Sequence, residues 1–178
     1  SCINGHLILP GRTNFREGTQ MALKPVPVEE DDEVEAALDW FFTIARSAPD
    51  LRHRIDCAQK YLRAHLDASG GTWPDPEKLI DPNDRIASYL AQGDALIRNR
   101  WVYDLSLGSR VIPFLKYIGS HVERLRTIPG SIKRVRTLLN SRGNGAHPDG
   151  GIFELATAAR YTDENFNVEF LDESSKRT

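Results

Sequence analysis

The chain has 178 residues, 40% of them hydrophobic and 27% charged, with a formal net charge of −2. This suits one domain with a buried core, or a domain plus the beginning of a second, and the overall charge carries no global nucleic-acid signature. No apolar run approaches about 18 residues, so no membrane span is read from it. Two cysteines, Cys2 and Cys57, make no disulfide framework, and a reducing, cytoplasmic setting is the expectation. The opening SCINGHLILPGRTNF lacks the basic start and long apolar run of a signal peptide.

Residues 1–28 are broken by Gly5, Pro10, Gly11, Gly18, Pro25 and Pro27 and read as an irregular arm, with HLIL (6–9) as a possible short strand. An acidic run, Glu29 to Glu35, then suits the positive end of a helix dipole. Val34, Ala37, Leu38, Phe41, Ile44, Ala45 and Ala48 recur at three and four, an apolar helical stripe that Pro49 is expected to stop. A second helix is expected over about 50–68, with Leu51, Ile55, Ala58, Leu62 and Leu66 on its buried face and Gly70-Gly71 beyond its end. GGTWPDPEKLIDPND is too proline-rich for a long helix.

A third helix begins near Asp84, with Ile86, Tyr89, Leu90, Leu96, Ile97 and Trp101 as burial candidates and Gly93 weakening it by roughly 1 kcal/mol against alanine. A fourth runs through SRVIPFLKYIGSHVERLRTIPG on Ile112, Leu115, Ile118, Val122 and Leu125, with Pro113 fitting only in its first turn. The fifth, SIKRVRTLLNSRG, has Ser131 as its cap and Ile132, Val135, Leu138 and Leu139 inward. NSRGNGAHPDGG reads as a linker. Beyond it comes a helix, a turn and VEFL, whose Val168 and Phe170 point to one side of a strand.

Four groups of residues invite a chemical reading. Glu154 stands on a stretch otherwise made of Phe153, Leu155, Ala156, Ala158 and Ala159; it is either a solvated flank residue or part of a site. Arg124, Arg126, Lys133, Arg134, Arg136 and Arg142 occur with no acid between them, and Arg110 and Lys116 extend the group upstream. Such a cluster neutralises phosphates, or it is a solvated face or a dock for the acids of 29–35. His53 and Cys57, four apart on one helix face with His65 further on, fall short of the ligand count zinc needs and read as structural. Trp40, Phe41, Phe42, Trp73, Trp101, Tyr103, Phe114 and Tyr117 fit core packing or a groove lining. There is neither a G-x-S-x-G nucleophile motif nor a phosphate loop.

FELATAARYTDENFNVEFLDESSKRT resembles the opening of a PD-(D/E)XK nuclease core, over about residues 150–178. In that family an acidic residue on the first core helix precedes the first core strand; an aspartate and an acid–X–Lys follow on later strands. Glu154 is the one position that matches a family site residue. The resemblance implies Mg²⁺-dependent cleavage of DNA or RNA by a longer form, with Glu154 accessory and with the 178-residue fragment inert and holding no metal by itself. The expected fold is therefore mainly α: a multi-helix region at 1–148 with an irregular arm, then the first helix and strand of a truncated α/β core at 149–178. A strand without a partner is an aggregation hazard. It is expected to pair with HLIL, to self-associate with another copy, or to be poorly ordered. The competing class is a non-enzymatic helical module that binds protein or nucleic acid.

Overall fold

The computed structural model describes residues 32–45, 48–143 and 147–171. The chain is mainly α-helical, and no strand forms among these residues. HLIL lies outside them. The described residues form seven α-helices in order: α1 (Asp32–Ala45), α2 (Ala48–Ala68), α3 (Arg85–Arg98), α4 (Leu105–Ser120), α5 (Val122–Thr127), α6 (Ser131–Asn140) and α7 (Pro148–Asp163). Two 3-10 turns, Pro76–Leu79 and Arg100–Val102, bracket α3.

α3 is the central element. Every residue from Ile86 to Ala95 is buried, as expected of a helix packed on all sides rather than on one stripe. It touches α1, α2, α4 and α6. Gly93 explains the close approach: a Cβ there would sit 3.0 Å from Leu115 and 3.2 Å from Val34. The glycine that weakens the helix in isolation is what lets three helices meet. α1 and α4 are as tightly set, because a Cβ at Gly119 would overlap the Glu33 carbonyl.

Side chains fix the starts of α3 and α4. Asp84 caps α3 by accepting from the Ala87 amide at 3.1 Å, and Asp104 caps α4 by accepting from Leu107 at 2.7 Å. Each satisfies an amide that the first turn leaves without an intrahelical partner. Asp104 is itself buried, and its own amide donates to Gln92 of α3 at 2.9 Å.

Several expectations need correction. Pro49 lies in the first turn of α2, where its missing N–H costs nothing. α4 starts four residues before Ser109, so Pro113 is interior. Pro113 and Ser109 both face solvent, so the carbonyl that the missing N–H leaves unpaired lies on the exposed side of the helix. The long fourth helix breaks at His121 into α4 and α5. Ser131 is the first helical residue rather than the cap; Gly130 takes that place at φ 84°. A Cβ at Gly130 would lie 2.5 Å from the Phe170 carbonyl oxygen, so both conformation and space demand glycine. Ile132 faces outward and Trp101 is 97% exposed.

The strand expected over VEFL does not form. Burial does alternate there, with Val168 and Phe170 packed against the core and Glu169 and Leu171 exposed. The backbone, however, makes one bond to the α5–α6 corner, Phe170 N–H to the Pro129 carbonyl at 3.0 Å. A ladder needs a neighbouring strand, and the neighbour here is a helix corner. α7 shares the main hydrophobic core through Ile152, Leu155, Ala158 and Ala159, so the core is continuous across residue 148. At Gly151 a Cβ would press on Leu138 of α6 at 2.9 Å, which sets the α6–α7 spacing.

Candidate functional site

The basic cluster comes from two short helices and the turn after them. α5 and α6 bury Leu125, Val135, Leu138 and Leu139, and the helical period turns the intervening Arg and Lys outward. The apolar stripe thus creates the charged face.

That face is largely paired. Arg124 meets Asp163 at the end of α7, and Arg126 meets Glu123 at 2.7 Å. Arg134 binds Glu154 at 2.6 Å, and Arg142 binds Asp50 of α2 at 2.6 Å. These counter-charges come from α2, α5 and α7, and the described part of the acidic run at 32–35 does not supply them. Arg136 is exposed and forms no ion pair with a described residue. Lys133 is exposed and engaged. Arg110 belongs elsewhere: it binds Glu77 at 2.7 Å, which also accepts from Arg85 at 3.0 Å.

The structure therefore brings together two residues that the sequence suggested for different tasks, Glu154 and Arg134. Glu154 lies in the middle of α7 at 53% exposure, on its outer flank. The Arg134 side chain is more covered, and its Nε is buried without a hydrogen-bond partner. At the end of α7, Asp163 takes Arg124 and His121 Nε2, the latter at 2.6 Å. His121 Nδ1 lies 2.7 Å from the Tyr117 carbonyl. α7 is thus held to α5 and α6 by ion pairs along one edge and by apolar packing beneath.

The opposite edge of α7 is open. Between α4 and α7 lies a cavity of about 530 Å³ lined by Tyr89, Arg110, Val111, Phe114, Asp149, Gly150, Ile152 and Phe153. That volume falls in the range of roughly 300–1,000 Å³ typical of small-molecule sites. At its base the buried Tyr89 hydroxyl donates to Asp149 Oδ1 at 2.6 Å. Burial, and then this bond to a carboxylate, push the Tyr89 pKa well above the ordinary tyrosine range. The bond to Glu77 raises that of Arg110, and the nearby Asp149 acts in the same direction. Phe114 and Phe153 form the exposed lips. The sequence marks Arg110 and Phe114 among its candidates but points to neither Tyr89 nor Asp149 as a pair. Pro148-Asp149 signals a helix start and nothing more, and a contact over 60 residues leaves no local trace.

No group of three His, Cys, Asp or Glu side chains able to hold a metal ion occurs among the described residues. His53 Nε2 and the exposed Cys57 Sγ lie 3.6 Å apart on the outer side of α2. His65 is turned to its own helix, at 3.1 Å from the Tyr61 carbonyl. No helix among the described residues is long and apolar enough to cross a membrane. Comparison with protein-family models, with curated proteins and with solved structures gives no match.

Proposed function

We propose that these helices form a nucleic-acid-facing region attached to the opening helix of a nuclease-like core, and that the 178-residue chain cuts nothing by itself. The observation that carries the reading is the order around α7. A half-exposed glutamate stands at the helix centre, a turn follows at Glu164 and Asn165, and then comes a run with alternate burial at Val168 and Phe170. That is the order the resemblance implies. The α/β core itself remains part of the proposal.

Mg²⁺ belongs to the resemblance, and the described residues do not fit it. A hard dication takes about six oxygen ligands, whereas Glu154 is one carboxylate already bound to a guanidinium. What these residues supply is charge: Arg136 is open to a phosphate, and Arg134 becomes so when it leaves Glu154.

The test incubates the chain with duplex DNA and with single-stranded RNA in the presence of Mg²⁺ or Mn²⁺. No cleavage is expected, together with weak binding that falls as salt rises. Glu154→Gln frees Arg134 and steepens the slope of log K against log salt by about one contact's worth, roughly 0.7–0.9. Cleavage by the chain, or affinity indifferent to salt, overturns the reading. A second reading, a non-enzymatic module that binds protein, is favoured by the exposed aromatics Phe114, Phe153 and Tyr161 beside the α4–α7 opening. Loss of a captured protein on Phe153→Ala, with nucleic-acid binding intact, would select it.

A further inference from the structure

We infer that the α4–α7 cavity is a binding site for a small zwitterion with an apolar body, of the class of free amino acids with an aromatic or large aliphatic side chain. The inference is independent of any contact with nucleic acid. It rests on a positive and a negative group placed at one apolar opening, each held so that part of its hydrogen-bonding capacity is left over.

On the negative side, Asp149 projects from the first turn of α7. Its Oδ1 accepts from the buried Tyr89 hydroxyl at 2.6 Å, and Oδ2 has no partner among the described residues. A carboxylate pinned through one oxygen offers the other in a fixed direction. On the positive side, Arg110 of α4 uses Nη1 for Glu77 at 2.7 Å, and Glu77 is shared with Arg85. Glu77 thus takes one nitrogen of Arg110, and a guanidinium has five donors, so others are left over. An ammonium fits Asp149, and a carboxylate fits Arg110 in the planar mode arginine favours.

The rest of the cavity is apolar. Val111, Phe114, Ile152 and Phe153 form its walls. A ligand with only one charge would bond one of Arg110 and Asp149 and strip water from the remaining donors or acceptor of the other, which costs free energy. Gly150 completes the arrangement: a Cβ built there meets nothing within 4 Å, so the space above it is open. Its backbone does not require glycine, since its φ is not in the left-handed region.

The test uses the full chain and three probes: L-phenylalanine, 2-phenylethylamine and 3-phenylpropionate. Calorimetry, or the chemical shifts of Gly150 and Phe153, gives the affinities. L-phenylalanine should bind at least about tenfold more tightly than either singly charged probe, the difference a lost charge-assisted hydrogen bond makes. Gly150→Leu should abolish that binding without lowering the melting temperature, because leucine fills open space and favours the helix. Asp149→Asn keeps an acceptor for Tyr89 and should bring L-phenylalanine down to the level of 3-phenylpropionate. Equal binding of all three probes, binding that survives Gly150→Leu, or no binding of L-phenylalanine at millimolar concentration each overturns the inference.

Discussion

Arg54 is the side chain whose removal should be felt most widely. It projects from α2 and is 91% buried. Its guanidinium binds both oxygens of Asp84, with Nη2 to Oδ1 at 2.7 Å, and its Nη1 donates to the Leu139 carbonyl at 2.8 Å. One side chain thus ties α2 to the cap of α3 and to the end of α6. Arg54→Met keeps much of the volume and removes every one of these bonds. Stripping one partner from a buried pair costs about 3–5 kcal/mol. The lower part of that range applies, because Asp84 retains 13% exposure and its bond to the Ala87 amide. With the Leu139 carbonyl also losing its donor, the expected loss is about 3–4 kcal/mol. For a chain of this size that lowers the melting temperature by roughly 6–16 °C. Urea unfolding followed by circular dichroism measures it, with Asp84→Asn and the double variant closing a cycle. The double variant should cost about 2 kcal/mol less than the sum of the singles. Additive losses, or a cost for Arg54→Met below about 1 kcal/mol, would refute the idea that the guanidinium clamps three helices.

Stability should fall on the alkaline side through Tyr89. Its pKa is raised in the folded chain above the ordinary 10.0, so the folded state holds a proton that the unfolded state releases. The stabilisation is complete below pH 10 and is lost progressively above it. Tyr89→Phe should flatten that limb of the urea midpoint measured between pH 8 and 11, and should cost about 1 kcal/mol at neutral pH, since the exposed Asp149 rehydrates. Gly119→Ala should destabilise by about 1–3 kcal/mol or more, because its methyl meets backbone of α1 rather than a side chain that can turn aside; a neutral result in thermal unfolding would show that α1 and α4 are less closely set. Among the tryptophans, Trp40→Ala should cost about 3–5 kcal/mol, whereas Trp101→Ala should stay within about 0.5 kcal/mol despite the equal change in volume. Intrinsic fluorescence with denaturant titration distinguishes the two.

The helices were legible because burial imposes a period on the residues that make it. Leu51, Ile55, Ala58 and Leu62 of α2 lie inside as their spacing requires, as do Ile112, Leu115, Ile118, Val122 and Leu125. Errors gather where tertiary contacts outweigh local preference. Ser131 is a good cap by chemistry, yet Gly130 takes the place because Phe170 lies against it, 40 residues away. Pro113 breaks helices in general, but here it lies inside α4 on the solvent side, where the carbonyl it leaves unpaired is not buried in the core. VEFL carries the alternation of a strand, and burial keeps that alternation, but a sheet also requires a partner that no local pattern can announce. The candidate site was half-legible for the same reason. The sequence displays the basic residues and Glu154; it does not display that Arg134 and Glu154 meet, or that Tyr89 reaches Asp149.

The Arg134–Glu154 pair decides how the basic face behaves. With Glu154 more than half exposed, the pair is worth about 0–1 kcal/mol rather than the several of a buried bridge. A phosphate that competes with Glu154 for Arg134 therefore pays less than a tenfold penalty in affinity. Arg134 has reason to exchange, since its Nε is buried and unbonded in the present arrangement. The carboxylate is thus a weak screen over the cationic face and does not close it. The pairs holding Arg124, Arg126 and Arg142 are similarly exposed, with arginine side chains at 58%, 46% and 51%. The face consequently has most of its charge covered and still acts as a set of loosely held cations. Added salt weakens the internal pairs and the contacts with phosphate together, so the salt response of binding, more than its strength, carries the information about which of these arginines engage.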